Sequence, residues 1–131
     1  MNHPVWIDVN ALRLLHSESL AEFGGLSGMR DEGLLMSALA RPQNLFAYEG
    51  VTEIPRLAAA YAYGITKNHP FADGNKRAAF LCIGLFLALN GKALQVEQQK
   101  AVKTILAVAT GDLDELALTD WIAKYTVIIF L

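Results

Sequence analysis

From Ala78 to Leu89 the chain reads AAFLCIGLFLAL, twelve residues without a charge. A helix apolar on every face must be enclosed by its neighbours, so this block predicts a central core helix. It should begin near Gly74 or Asn75 and run to Asn90, with Gly91 as its stop. Twelve residues are too few to cross a bilayer as a helix, so no membrane role is expected. Upstream, Asp8 can cap a helix to about Phe23 that gathers Leu12, Leu15 and Phe23 near one face, and Gly24-Gly25 supplies the left-handed geometry that stops it. A loop over 24–29 leads to a second helix, Arg30 to Ala40, which Pro42 should end by forcing Arg41 out of helical conformation. The stretch RPQNLFAYEGVT, Arg41 to Thr52, then reads as a functional loop or small flap. Pro55 suits the first turn of a third helix that carries Leu57 to Thr66 until Asn68 and Pro70 intervene. Two more helices are expected, from about Val96 to Thr110 and from Leu113 or Thr119 onward. The ending TVIIFL, Thr126 to Leu131, is β-branched and uncharged, reads as helix or strand, and needs covering to avoid aggregation.

Composition narrows the function classes. A length of 131 residues suits one domain, 1–131, with no linker, repeat or low-complexity tract. With 53% hydrophobic and 18% charged residues the chain is globular rather than disordered. A net charge of -2 gives no general attraction to polyanions, and Lys92, Lys100 and Lys103 are scattered, so direct nucleic-acid binding is not expected. Cys82, the single cysteine, sits among Leu81, Ile83 and Leu85 as a small buried hydrophobe would. The opening MNHPVWIDVN has neither the cationic segment nor the apolar stretch of a secretory signal, which together with Cys82 points to the cytoplasm. His3 and His16 have no partners at metal-ligand spacing and read as surface or structural residues.

The chemistry gathers in HPFADGNKR, His69 to Arg77, at the mouth of the apolar helix. A helix start leaves backbone N–H groups without intrahelical partners and carries about half a positive charge, which favours an anion. Gly74 lets backbone approach a ligand closely, Asn75 can donate an amide N–H, and Lys76 and Arg77 add a point charge and a planar fork. Asp73 would be repelled by bare phosphate but makes sense holding Mg²⁺, which takes one or two carboxylates and fills the rest with phosphate oxygens and water. His69 suits a general base toward a hydroxyl attacking phosphorus. Phe71 reads as a buried ring that fixes the loop. Taken singly, a histidine before proline is an ordinary turn residue, Asp73 an ordinary helix cap, and Lys76 and Arg77 ordinary solvated charges. Only the combination argues for a metal-nucleotide site.

The same nine residues resemble the signature of the Fic/Doc (Fido) superfamily, H-P-F-x-[DE]-G-N-G-R-x-x-R. FGGLSGMRDEGLLMSALARPQ, AYEGVTE, LFLALNG and ATGDLD are similar, in the same order, to segments of Doc-type (death-on-curing) toxins, so the resemblance covers almost the whole chain. It implies an all-α fold of about six helices around a central buried apolar helix at approximately 75–90. It also implies that His69 activates the target hydroxyl, Asp73 holds Mg²⁺, and Gly74, Asn75, Lys76 and Arg77 form the anion hole. Two positions depart from the Fic pattern toward Doc: Lys76 replaces the second glycine and Phe80 the second arginine. The first fills space left open for the phosphate chain and the second removes a charge that would hold the nucleotide, which disfavours the adenylylating orientation.

The activity implied by the resemblance is that of a toxin that binds ATP reversed and transfers its γ-phosphate to a threonine of elongation factor Tu, arresting translation. Gly74 stands where the best-known Doc form has alanine, a return toward Fic that keeps AMP transfer as the alternative. A catalytically silent partner-binding module is a further alternative, against which the full set of expected site residues weighs. The self-inhibiting pattern [S/T]-x-x-x-E-[G/N] is absent from the sequence. An uninhibited toxin needs separate restraint, so the resemblance implies a small antitoxin of Phd type or similar, folding its chain end into a groove that exposed apolar residues would mark.

Overall fold

A computed structural model describes residues 3–129, and among them the chain forms six α-helices and two short strands. The helices are α1 (Val9–Phe23), α2 (Glu32–Glu49), α3 (Ile54–Asn68), α4 (Asn75–Leu89), α5 (Gln98–Thr110) and α6 (Glu115–Tyr125). Strand β1 (Lys92–Leu94) pairs antiparallel with β2 (Thr126–Ile128), Lys92 lying opposite Ile128. The helical expectation therefore holds, with the end of the chain resolved as strand over Thr126–Ile128. Residues 130 and 131 of that tail lie outside the described residues. Nothing in the sequence marks β1, because three residues are too few to show alternation.

Asp8 caps α1 by accepting the N–H of Asn10, and Pro55 occupies the first turn of α3, both as expected. The second helix corrects the sequence reading. Instead of stopping at Ala40 it continues through Pro42 to Glu49 and ends at Gly50. The expected flap, Arg41 to Thr52, is therefore mostly helix, and only residues 50–53 lie between α2 and α3. An interior proline costs a helix roughly 3 kcal/mol by local rules. Here its ring is buried with Leu35, Ala38 and Leu39, and such packing outweighs propensity. Arg41 adds to the lock: its guanidinium donates to Ala60 O at 3.2 Å and meets Glu115 at 2.6 Å, while Arg56 reaches the other Glu115 oxygen at 2.5 Å. One carboxylate thus ties α2, α3 and α6 together.

The core is shared by two inner helices. α3 packs against α2, α4, α5 and α6, and α4 packs against α1, α3, α5 and β1. On α3 a run of small residues, Ala58, Ala59, Ala60 and Ala62, is fully buried and lets neighbouring helices come close. Burial of α4 follows one stripe, Ala78, Ala79, Cys82, Ile83, Phe86 and Leu87, whereas Gly84, Ala88 and Leu89 are exposed. Enclosure on every face, expected from its composition, is thus not what α4 shows. Cys82 is free and fully buried, and burial pushes its thiol up to about 12. Tyr61, also fully buried, accepts the N–H of Ile7 at 3.1 Å, and burial raises its hydroxyl to about 12. No helix among the described residues is long and apolar enough to cross a membrane.

At Gly64 of α3 the backbone lies tight against α2: an added Cβ would stand 3.2 Å from both Cα and Cβ of Ala38. Backbone cannot yield as a flexible side chain can. Gly64→Val should therefore lower the unfolding free energy by about 1–3 kcal/mol, the usual effect of overpacking a tight core. Denaturant melts measure this, and an unchanged midpoint would show that the crossing is looser than described.

Candidate functional site

The site begins where α3 ends. His69 is its C-cap in left-handed conformation, φ 49° and ψ 55°, while its N–H still reaches Ile65 O at 3.1 Å. Such a conformation is strained for a residue with a Cβ and persists only when its surroundings enforce it. They do so from a distant segment. Arg30 donates from Nε to His69 O at 2.5 Å and from Nη2 to Asn68 O at 2.6 Å, placing a cation at the negative end of α3. The N–H groups of Arg30 and Asp31 both donate to Pro70 O, at 2.8 and 2.9 Å, and Ala72 N–H reaches Gly28 O at 3.0 Å.

Two side chains lock the interior of the turn. Phe71 is buried and stacks on the His16 ring with centroids 3.8 Å apart. Asn75, the first residue of α4 and itself buried, accepts the Phe71 N–H at 2.9 Å and donates to Phe71 O at 3.0 Å. Its Nδ2 also lies 3.5 Å from His69 Nδ1, too far to fix the imidazole tautomer. The Asn75 amide oxygen and one of its two N–H groups are thus already bonded within the loop, which leaves the second side-chain N–H, on the side of His69, and the backbone N–H for a guest.

Gly74 caps α4 at φ 74°, and a Cβ there would meet His16 Nε2 at 3.2 Å. That nitrogen lies 2.8 Å from Asp73 O. The Asp73 carboxylate is exposed and accepts two backbone N–H groups, Leu26 at 3.1 Å and Gly74 at 2.8 Å. These bonds, Leu26 foremost, hold its pKa below the ordinary carboxylate value. It therefore stays ionised wherever the protein is folded near neutral pH.

His69, Ala72, Asp73, Gly74, Asn75, Lys76 and Arg77 line one open cleft of about 350 Å³ at the N-terminus of α4. No acidic residue occupies the first turn of α4, so its unpartnered N–H groups face the cleft without a competing carboxylate on that turn. Arg77 is steadied from α1, its guanidinium 4.2 Å above the Phe23 ring. Among the described residues no group of three or more His, Cys, Asp and Glu could form a complete metal cage. Asp73 fits a divalent ion that takes a single protein carboxylate: it is ionised and exposed, and each oxygen, bonded to one N–H, keeps a further lone pair.

Of the site residues expected from the sequence, His69, Asp73, Gly74, Asn75, Lys76 and Arg77 line this cleft, whereas Phe71 is buried on His16 and lines a separate depression. Arg30, Leu26 and His16 support the site from segments that its motif does not announce. His16, read from sequence as a surface or structural residue, is buried and structural, though its partners were not foreseeable. For Arg30 the available signal was only a cation at the end of a glycine-containing loop.

Comparison with known proteins gives the family. A family model described as the Fic/DOC family matches residues 6–87. The chain is 32% identical over 118 residues to "Protein kinase doc" of Escherichia phage P1, covering 90% of this chain and 93% of that protein. It is 39% identical over 102 residues to "Toxin Doc" of Mycolicibacterium smegmatis, covering 72% of this chain and 77% of that one. The chain belongs to the Fic/Doc family, and within it resembles the Doc-type toxins.

Because Asn75 is the sole side chain bonded to both backbone groups of Phe71 among the described hydrogen bonds, Asn75→Ala should lower stability by about 1–3 kcal/mol by orphaning buried backbone groups. Calorimetric melting would register this. An unaltered transition would mean that the turn is held without the asparagine.

Proposed function

We propose that the protein transfers the γ-phosphate of ATP to a hydroxyl of a protein target, in the manner of a Doc-type toxin. The carrying observation is that His69, Asp73 and the N-terminus of α4 share one cleft. In this reading the backbone N–H groups of Asn75, Lys76 and Arg77 hold phosphate oxygens, helped by the two cationic side chains. Asn75 and Phe71 keep the turn in place, and Asp73 holds Mg²⁺, whose charge would offset that of the phosphates. The target's hydroxyl oxygen forms a bond to the γ-phosphorus while the bond from that phosphorus to its bridging oxygen breaks. The electron pair leaves with ADP, and the hydroxyl proton passes to His69.

Support for phosphate over AMP comes from Lys76 and Phe80, which replace the glycine and arginine of the Fic signature, and from the relative named a protein kinase. A threonine of elongation factor Tu is the proposed acceptor, in the cytoplasm, with translation arrest as outcome. The proposed restraint is a small antitoxin of Phd type or similar.

Incubation with elongation factor Tu and ATP labelled at the α or γ phosphorus, followed by mass spectrometry, separates the readings. Phosphate adds about 80 mass units and AMP about 329, from the covalent chemistry of each modification. We expect the smaller gain, carried by the γ label, and its loss in His69→Ala with helical content unchanged. The larger gain would assign AMP transfer, and an active His69→Ala would exclude the proposed base.

A further inference from the structure

One peptide unit, Asp73–Gly74, joins the carboxylate to the start of α4. Gly74 has no Cβ and tolerates either sign of φ, so this unit can turn over at little steric cost. Its two ends are held by different partners. The Gly74 N–H donates to Asp73 Oδ1 at 2.8 Å, and Asp73 O lies 2.8 Å from Nε2 of His16, a buried residue of α1 that is 57 positions away. A carbonyl has no proton to give, so Nε2 carries the hydrogen and donates it. Among the described hydrogen bonds no other group donates to that carbonyl.

We propose that His16 is a positioning residue for the metal: by holding the Asp73 carbonyl it keeps the 73–74 peptide in the orientation that presents the Asp73 carboxylate to a divalent ion. The proposal rests on the reading of Asp73 as the ligand of Mg²⁺. In a trans peptide the C=O and N–H point in opposite directions, so a half-turn would exchange them. The carboxylate would then lose the Gly74 N–H and face a carbonyl oxygen in its place. Its remaining described donor would be the Leu26 N–H, 3.1 Å from Oδ2.

His16 is itself firmly held. Its ring stacks on Phe71 with planes 17° apart, and the Phe71 backbone is bonded on both sides by Asn75. It also sits close against the turn, since a Cβ at Gly74 would stand 3.2 Å from Nε2. A partner that orients a metal ligand in this way typically contributes ten- to hundredfold to metal affinity. The anion seat does not share the dependence, because the N–H groups of residues 75–77 belong to later peptides of α4. Metal and anion binding should therefore separate when His16 is changed.

Two variants divide the ring from its donor. His16→Phe keeps an aromatic ring against Phe71 but has no N–H, whereas His16→Gln keeps an N–H at the reach of Nε2 without the ring. Mn²⁺, which favours the same oxygen ligands as Mg²⁺, is titrated alone into the isotopically labelled full chain while the broadening of the Leu26 and Gly74 amide signals is followed. His16→Phe should need about tenfold more Mn²⁺ for the same broadening, and His16→Gln should follow the unaltered chain. A merely structural role predicts the reverse order, because phenylalanine replaces the ring better than glutamine does. Pyrophosphate without metal should move the amide signals of residues 75–77 alike in all three chains. Equal Mn²⁺ dependence in all three overturns the proposal, and so does a loss in both variants, which would assign the effect to the ring. Broadening absent even from the unaltered chain would take the metal away from Asp73 and the proposal with it. The pyrophosphate response still reports on the anion seat in that case, so the two failures are told apart.

Discussion

Asn75 holds Phe71 by two hydrogen bonds, and the geometry of the site descends from that pair. The chain must leave α3, reverse within a few residues and enter α4 with its first turn open to solvent. Bonding both backbone groups of Phe71 to the first residue of α4 makes the loop an extension of the helix. Phe71 is then pressed onto His16, and His16 reaches Asp73 O, so the carboxylate-bearing residue is fixed by the same contacts. A buried polar side chain with its partners satisfied specifies one arrangement of the loop, where an apolar one would allow several.

The second constraint is electrostatic. Two helix ends of opposite sign meet at this turn, the negative C-terminus of α3 and the positive N-terminus of α4. Left alone they would largely cancel for an incoming anion. Arg30 bonds to the last carbonyls of α3, so its charge falls on the negative end. The positive end of α4 has no acidic residue in its first turn and keeps its field. Asp73 is the exception in the cleft, and its two backbone donors favour the ionised form. An exposed carboxylate held ionised beside cations suits a divalent ion arriving with phosphates.

The range of each interaction decides how much of it the sequence made legible. His69 beyond a helix end, a helix start near Gly74 or Asn75 and Phe71 as a buried ring could be read because they lie within nine contiguous residues and obey local rules, although Gly74 rather than Asp73 is the N-cap of α4. Arg30 and His16 could not, because their partners sit 39 and 57 residues away and no periodicity links them. Pro42 misled for the opposite reason: the local rule is sound, but burial of its ring in the core and the Arg41–Glu115 contact override it. The composition of α4 suggested enclosure on every face, yet Phe80 lies half-buried and Leu89 exposed.

The central claim is that the start of α4 is an anion seat built from backbone. Its most direct test is the amide spectrum of isotopically labelled protein titrated with pyrophosphate and Mg²⁺. The account predicts that the N–H signals of residues 74–77 move first and furthest, with those of α6 unmoved. Silent signals at 74–77, or larger shifts elsewhere, would contradict it.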